Sequence, residues 1–249
     1  MIKLPQIIGH RGACAYAPEN TLASIQSAAD MGIEWVELDV KLTADDVPII
    51  FHDDNLIRIT DHDALVKDVP YSAIKELDAG SWFADSFVDE KIPTLEEAVE
   101  LIIELGLGLN LEIKPCAGRE VETAQIALDY LARIWDDHDK IIISSFNEVS
   151  LETAADMLAG DWALAYLIDD IPEKWKDIAQ HLNVQTININ GNRDDLEREF
   201  IEEIIDEGYG VLAYTINNPV RARELISWGV DGVFTDEPDV IRDELFGLH

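Results

Sequence analysis

Residues 35–54 read WVELDVKLTADDVPIIFHDD, and this stretch decides how the rest of the chain is read. Val36, Leu38, Val40 and Leu42 alternate with Glu37, Asp39 and Lys41. After the polar interruption at 43–46, Val47, Ile49 and Phe51 alternate with Pro48, Ile50 and His52. Alternate residues of a strand share a face. Residues 43–46 are too few for a helical crossover, so the two runs are expected to form an antiparallel hairpin. Pairing Leu42 with Val47 sets Asp39 opposite Ile50 and Glu37 opposite His52. One face is then apolar from Val36 to Phe51, and the other carries two carboxylates and a histidine. A solvated hairpin would tolerate that second face. Buried, it would cost several kcal/mol per ion unless paired or metal-bound, which points to a cation site with a histidine acid or base beside it.

Outward from this hairpin, strand-like and helix-like runs alternate. The strand-like runs are 7–10, 35–40, 109–114, 141–145, 163–168, 186–189, 211–215 and 232–235. The helix-like runs are 21–31, 95–105, 120–135, 148–158, 172–182, 196–206, 219–228 and 239–245, with Gly106, Gly160, Gly208 and Gly229 at expected stops. The predicted fold class is α/β: a single (β/α)8 TIM barrel over 1–249, with the hairpin strand following the second barrel strand. Residues 55–93 break the rhythm, carry Trp82 and Phe83, and contain a short helix near 71–77. They are read as a small inserted subdomain over the carboxyl-end face, which regular helix follows from a Thr94–Glu97 capping box.

Composition narrows the function classes. Lys+Arg 18 against Asp+Glu 51 gives a formal charge of −33. Nucleic acid and anionic membranes are poor partners for such a field, and an anionic substrate needs locally concentrated positive charge. No apolar run is long enough to span a membrane, so no membrane insertion is expected. The opening Met-Ile-Lys-Leu-Pro-Gln has no leader-like apolar region, and Cys14 and Cys116 are too few for a disulfide framework, which together suggest a cytoplasmic protein. Salt shortens the Debye length from about 10 Å at 0.1 M to about 3 Å at 1 M. The melting temperature should therefore rise between about 0.05 and 1 M NaCl at fixed divalent-metal concentration. A flat or falling curve would exclude surface repulsion as a significant contribution.

The carboxyl ends of barrel strands line the site in this fold. The first strand ends in Gly9-His10-Arg11-Gly12, the second supplies Glu37 and Asp39, and the hairpin adds His52. Alternation in 109–114 turns Asn110, Glu112 and Lys114 inward. Three carboxylates with few soft ligands suit one hard divalent cation, Mg2+ or Ca2+. Arg11 offers a fork matched to phosphate, Lys114 a point charge, and the histidines a general acid and base. Singly, each has an ordinary use. His10 would serve structure, Arg11 and Lys114 would pair with nearby carboxylates, residues 19–21 would cap a helix, the two cysteines would be bystanders, and Trp82 would pack the insertion. Convergence of three strands makes the set specific to metal-assisted cleavage of a phosphate ester.

His10-Arg11-Gly12, Pro18-Glu19-Asn20-Thr21, Glu37-Leu38-Asp39, His52-Asp53, Glu112-Ile113-Lys114 and Thr235-Asp236-Glu237-Pro238 together resemble the glycerophosphodiester phosphodiesterase family. The resemblance spans nearly the whole chain and includes an insertion before Ile92-Pro93-Thr94-Leu95. It implies Glu37, Asp39 and Glu112 as ligands of one divalent cation, His10 and His52 as the acid/base pair, and Arg11 and Lys114 as phosphate contacts. Tyr214, where the family often has tryptophan, is assigned to substrate binding, and Cys14 is atypical. The implied reaction is hydrolysis of a small-molecule glycerophosphodiester to an alcohol and sn-glycerol 3-phosphate. A related barrel phospholipase or sphingomyelinase D-like enzyme would use the same histidines. A glycoside hydrolase would need neither them nor the cations, and a silent phosphate-binding barrel would be expected to lack one of them.

Overall fold

The computed structural model describes residues 3–247. Both ends of the predicted 1–249 domain, and Met1 and Ile2 of the expected leaderless start, lie outside them. In chain order the elements are β1 (Ile7–Gly9), α1 (Leu22–Asp30), β2 (Trp35–Leu42), β3 (Pro48–Ile50), α2 (Ile57–Thr60), α3 (Tyr71–Ile74), α4 (Leu95–Leu105), β4 (Gly108–Ile113) and α5 (Glu120–Ile134). There follow β5 (Ile141–Ser145), α6 (Glu148–Leu158), β6 (Ala163–Ile168), α7 (Trp175–His181), β7 (Thr186–Asn190), α8 (Arg198–Asp206), β8 (Gly210–Tyr214), α9 (Pro219–Ser227), β9 (Gly232–Thr235) and α10 (Pro238–Phe246).

Parallel pairing runs β1-β9-β8-β7-β6-β5-β4-β2 and closes through Gly9 against Val36, giving an eight-stranded TIM barrel. Ile8, Trp35, Ile142, Ala165, Leu212 and Phe234 fill the barrel interior. The larger core lies between sheet and helices, where Val36, Leu38, Val40, Leu109, Leu111 and Ile113 meet the helical faces. The α4 helix starts on the Thr94–Glu97 capping box expected from sequence.

The hairpin forms, but its register is shifted by one residue from the predicted pairing. Leu42 pairs with Pro48, Lys41 with Ile49, and Val40 with Ile50. Thr43 causes the shift: its amide donates to the Val47 carbonyl and its hydroxyl accepts from the Val47 amide, so Val47 closes the turn instead of starting the strand. A one-residue slip exchanges the faces. Ile50 therefore joins Val40 in the main core, whereas Ile49 and Phe51 turn the other way. They join Leu56, Ile59, Val66 and Ile74 in a second apolar cluster beneath residues 55–93. Trp82 packs within this segment, its indole donating to the Ala79 carbonyl and its ring edge-on to Phe83.

The exchanged face also buries Lys41, which is 1% exposed. Its ammonium donates to Asp54 at 2.7 Å and to the Lys114 carbonyl at 2.9 Å, tying the hairpin to the end of β4. Lys41→Ala removes the buried stem and leaves that carbonyl unpaired. It should lower unfolding free energy by roughly 2–4 kcal/mol. Urea denaturation reads this directly, and an unchanged midpoint at the same slope would contradict the clamp.

Candidate active site

Parallel pairing of β2 with β4 builds the centre of the site. Asp39 lies beside Glu112 and Glu37 beside Asn110 in the ladder. The carboxylate oxygens of buried Glu37, Asp39 and Glu112 come within 4.8 Å of one another. Such crowding is unfavourable without compensating positive charge. Burial, then the neighbouring carboxylates Asp39 and Glu112, push Glu37 well above the ordinary carboxylate range. Burial, then Asp39, pushes Glu112 up to about 7 against the pull of Lys114. Burial also opposes ionisation of Asp39, but Lys114, Arg11, His52 and the Asn20 amide outweigh it and hold Asp39 below the ordinary range. Glu37 Oε1 is buried without a hydrogen-bond partner. An all-oxygen set with one orphaned acceptor fits a hard divalent cation.

The turn after β1 brings the positive charge. Arg11 adopts φ 50° and Gly12 φ 85°, and a Cβ on Gly12 would run into Ser24, so the loop needs glycine there. The Arg11 amide donates to Glu37 Oε2 at 2.9 Å, and its guanidinium donates to Glu19 at 2.7 Å and sits 3.5 Å from Asp39. Lys114, just beyond β4, lies 2.7 Å from Glu112 and 3.7 Å from Asp39. Residues 19–21 do cap a helix, as the sequence suggested, but through Thr21 and not Glu19. Thr21 caps α1 in a box with Ser24, while Glu19 joins Arg11 to Arg58 of the inserted segment. Asn20, at φ 57°, binds Asp39 through its side-chain amide at 2.8 Å.

Each predicted histidine rests on a carboxylate. His10 Nδ1 is 2.6 Å from Asp236 Oδ1, and Asn217 donates to Asp236 Oδ2 at 2.6 Å. His52 lies two residues beyond the last hairpin pair, so the shifted register does not dictate its face. Its Nδ1 is 2.6 Å from Asp53, which Arg58 grips in turn. Burial, with Arg11 and Lys114, lowers His52 below the usual imidazole value despite Asp39 and Asp53. With Nδ1 held as donor, Nε2 of each ring is left as the proton-handling atom.

A cavity of about 280 Å3 is lined by His10, Arg11, Glu37, His52, Glu112 and Lys114, and also by Tyr214 and Phe146. Asp39 lies behind it, ion-paired with Arg11 and Lys114. Tyr214 donates its hydroxyl to the Ile168 carbonyl and meets Phe146 edge-on, and Lys114 Nζ stands 5.4 Å from the Phe146 ring centre. Phe146, Asn20, Asp53, Arg58 and Asp236 were not among the residues nominated from sequence. Asp236 and Phe146 directly follow β9 and β5, the position that nominates site residues in a barrel. Cys14, expected as a bystander, donates to Asp236 Oδ1 at 2.9 Å.

Residues 10–240 match the family model described as the glycerophosphoryl diester phosphodiesterase family. A glycerophosphodiester phosphodiesterase of Caldanaerobacter subterraneus is 31% identical over 240 residues, covering 94% of this chain and 95% of that protein. One from Bacillus subtilis is 31% identical over 250 residues, covering 94% and 84%. Among solved structures, an Oleispira antarctica phosphodiesterase in complex with the product sn-glycerol-3-phosphate has a TM-score of 0.93 and 42% identity, covering 97% of each chain. A glycerophosphodiester phosphodiesterase of Thermotoga maritima has a TM-score of 0.76 at 27% identity, covering 95% of this chain and 96% of that one.

Proposed function

The chain belongs to the glycerophosphoryl diester phosphodiesterase family, and from that premise we propose that it hydrolyses glycerophosphodiesters to an alcohol and sn-glycerol 3-phosphate with its histidine pair and a divalent cation. The observation that carries the reading is the packing of three buried carboxylates, with Glu37 Oε1 unpartnered, beside two carboxylate-braced histidines.

Arg11 and Lys114 supply the local positive charge that a phosphodiester needs inside a body of formal charge −33. They hold phosphate oxygens by charge-assisted hydrogen bonds and oppose the charge that grows as the bond to phosphorus forms. One histidine takes a proton from the attacking hydroxyl or water through Nε2, and the other protonates the leaving alcohol. Asp53 and Asp236 fix the donor end of each ring so that this division holds. Glu37, Asp39 and Glu112 would hold Mg2+ or Ca2+, which would offset phosphate charge and polarise the P–O bonds. Tyr214 and Phe146 give the glycerol or head group an apolar wall. The inserted segment 55–93 behaves in this proposal as a small subdomain that limits substrate size.

The protein's partner is then a small molecule. No helix among the described residues is long and apolar enough to cross a membrane. A cytoplasmic setting, where Cys14 and Cys116 stay as free thiols, belongs to the same proposal. The test is a panel of glycerophosphodiesters with and without added Mg2+ or Ca2+, beside an intact phospholipid, sphingomyelin and an aryl glycoside. Release of sn-glycerol 3-phosphate from the first group alone is expected. Faster turnover of an intact lipid, or of the glycoside, would replace this reading with the corresponding rival.

A further inference from the structure

His10 and two side chains behind it form a second group of potential metal ligands, separate in chemistry from the three carboxylates. His10 Nδ1, Cys14 Sγ and Asp236 Oδ1 all lie within 4.8 Å of one another. Two hydrogen bonds converge on the same carboxylate oxygen, from His10 at 2.6 Å and Cys14 at 2.9 Å. Asn217 holds the other oxygen through its side-chain amide, and accepts from the Asp236 backbone amide at 2.9 Å, so the carboxylate is fixed from behind. Nitrogen, sulfur and oxygen donors together are the choice of Zn2+ and its soft relatives, not of Mg2+ or Ca2+.

We propose that His10, Cys14 and Asp236 form an inhibitory site for a thiophilic divalent cation such as Zn2+, occupied at the expense of the His10–Asp236 hydrogen bond. The cation takes the place of the two hydrogens now shared with Asp236 Oδ1. The thiol proton leaves to solvent and Sγ binds as thiolate, while the single ring proton of His10 transfers from Nδ1 to Nε2 through solvent so that Nδ1 binds through its lone pair. Small outward shifts suffice, because ligands around zinc at roughly 2.0–2.3 Å stand farther apart than hydrogen-bonded atoms do. Water or a substrate oxygen completes the coordination. His10 so bound cannot accept a further proton at Nε2 and loses its part in proton transfer. Binding stands on this geometry alone, whereas inhibition also rests on the role proposed for His10.

The experiment uses full-length protein saturated with Mg2+ or Ca2+. Zn2+ is titrated against turnover, and Cd2+ against the ultraviolet thiolate-to-metal charge-transfer band. Wild type, Cys14→Ala and Cys116→Ala are each compared with their own rate before addition. Wild type and Cys116→Ala should show the band and lose activity. Cys14→Ala should lack the band, and its half-inhibitory Zn2+ concentration should rise by at least roughly tenfold for the lost ligand. A band without inhibition would keep the site and remove His10 from the reaction. A band that persists in Cys14→Ala, or equal Zn2+ inhibition in both proteins through displacement of the hard cation, would overturn the proposal.

Discussion

His10→Ala and His52→Ala should each lower kcat by roughly 10²–10⁴, the usual range for a positioned acid or base. Both rings line the same cavity, and each is braced at Nδ1 by a carboxylate 2.6 Å away, His10 by Asp236 and His52 by Asp53. Neither ring lies in the apolar clusters that hold the barrel, so both variants should fold. A circular dichroism melt separates unfolding from loss of chemistry. If both residues serve one proton-transfer sequence, the double variant should be less than multiplicatively worse, because removing one already disables the step the other assists. A single variant with normal kcat would take that histidine out of the mechanism. Asp236→Asn keeps the size of the brace but removes its charge. It should cost less than His10→Ala, and an equal loss would mean that orientation is most of what the ring contributes.

Exhaustive chelation should abolish turnover, and Mg2+ or Ca2+ should restore it. Full activity after chelation would end the case for a catalytic cation. Stability offers a second readout that needs no substrate. Glu112 is pushed up to about 7, and Glu37 also lies above the ordinary 4.5. A carboxyl whose folded value is raised contributes fully below its unfolded value and loses that contribution as pH rises through the folded one. The chelated protein should therefore lose stability between about pH 4.5 and 7. A cation binding the ionised trio should reverse that trend, and at 100 times its Kd would add about 2.7 kcal/mol. Glu37→Gln and Glu112→Gln should each reduce this gain together with activity. Metal-independent melting at neutral pH in the wild type would refute the site.

The barrel was legible because hydrophobic period survives in nearly every element. Glu37 and Asp39 were legible because strand alternation forces them onto one face. Glu112 could be nominated by the same alternation, but its position beside Asp39 depends on inter-strand register, which no local pattern encodes. The hairpin shows the cost of that gap. Counting four loop residues set Leu42 against Val47, whereas the Thr43 hydroxyl captures the Val47 amide and moves every pair by one. Ile49 and Ile50 are equally apolar, so composition does not distinguish the two registers. His52 reaches the cavity despite the error because it lies just past the last inter-strand bond, from the Phe51 amide to the Asp39 carbonyl. Asn20, Arg58 and Asp236 escaped nomination for a different reason: they act on Asp39, Glu19 and His10 across loops whose convergence only the closed barrel creates.

Arg58 has a consequence for how this protein could diversify. It projects from the inserted segment and binds both Glu19, the partner of Arg11, and Asp53, the partner of His52. An insertion proposed to limit substrate size is the natural part to exchange when a lineage or an engineer seeks a new head group. Here that part is not portable: a graft that discards Arg58 leaves Glu19 to Arg11 alone and Asp53 to His52 alone, beside the groups proposed to hold phosphate and move protons. Useful exchanges would retain an arginine at that point while varying the far side around Trp82. New specificity in this scaffold is therefore more accessible through partial remodelling than through wholesale replacement.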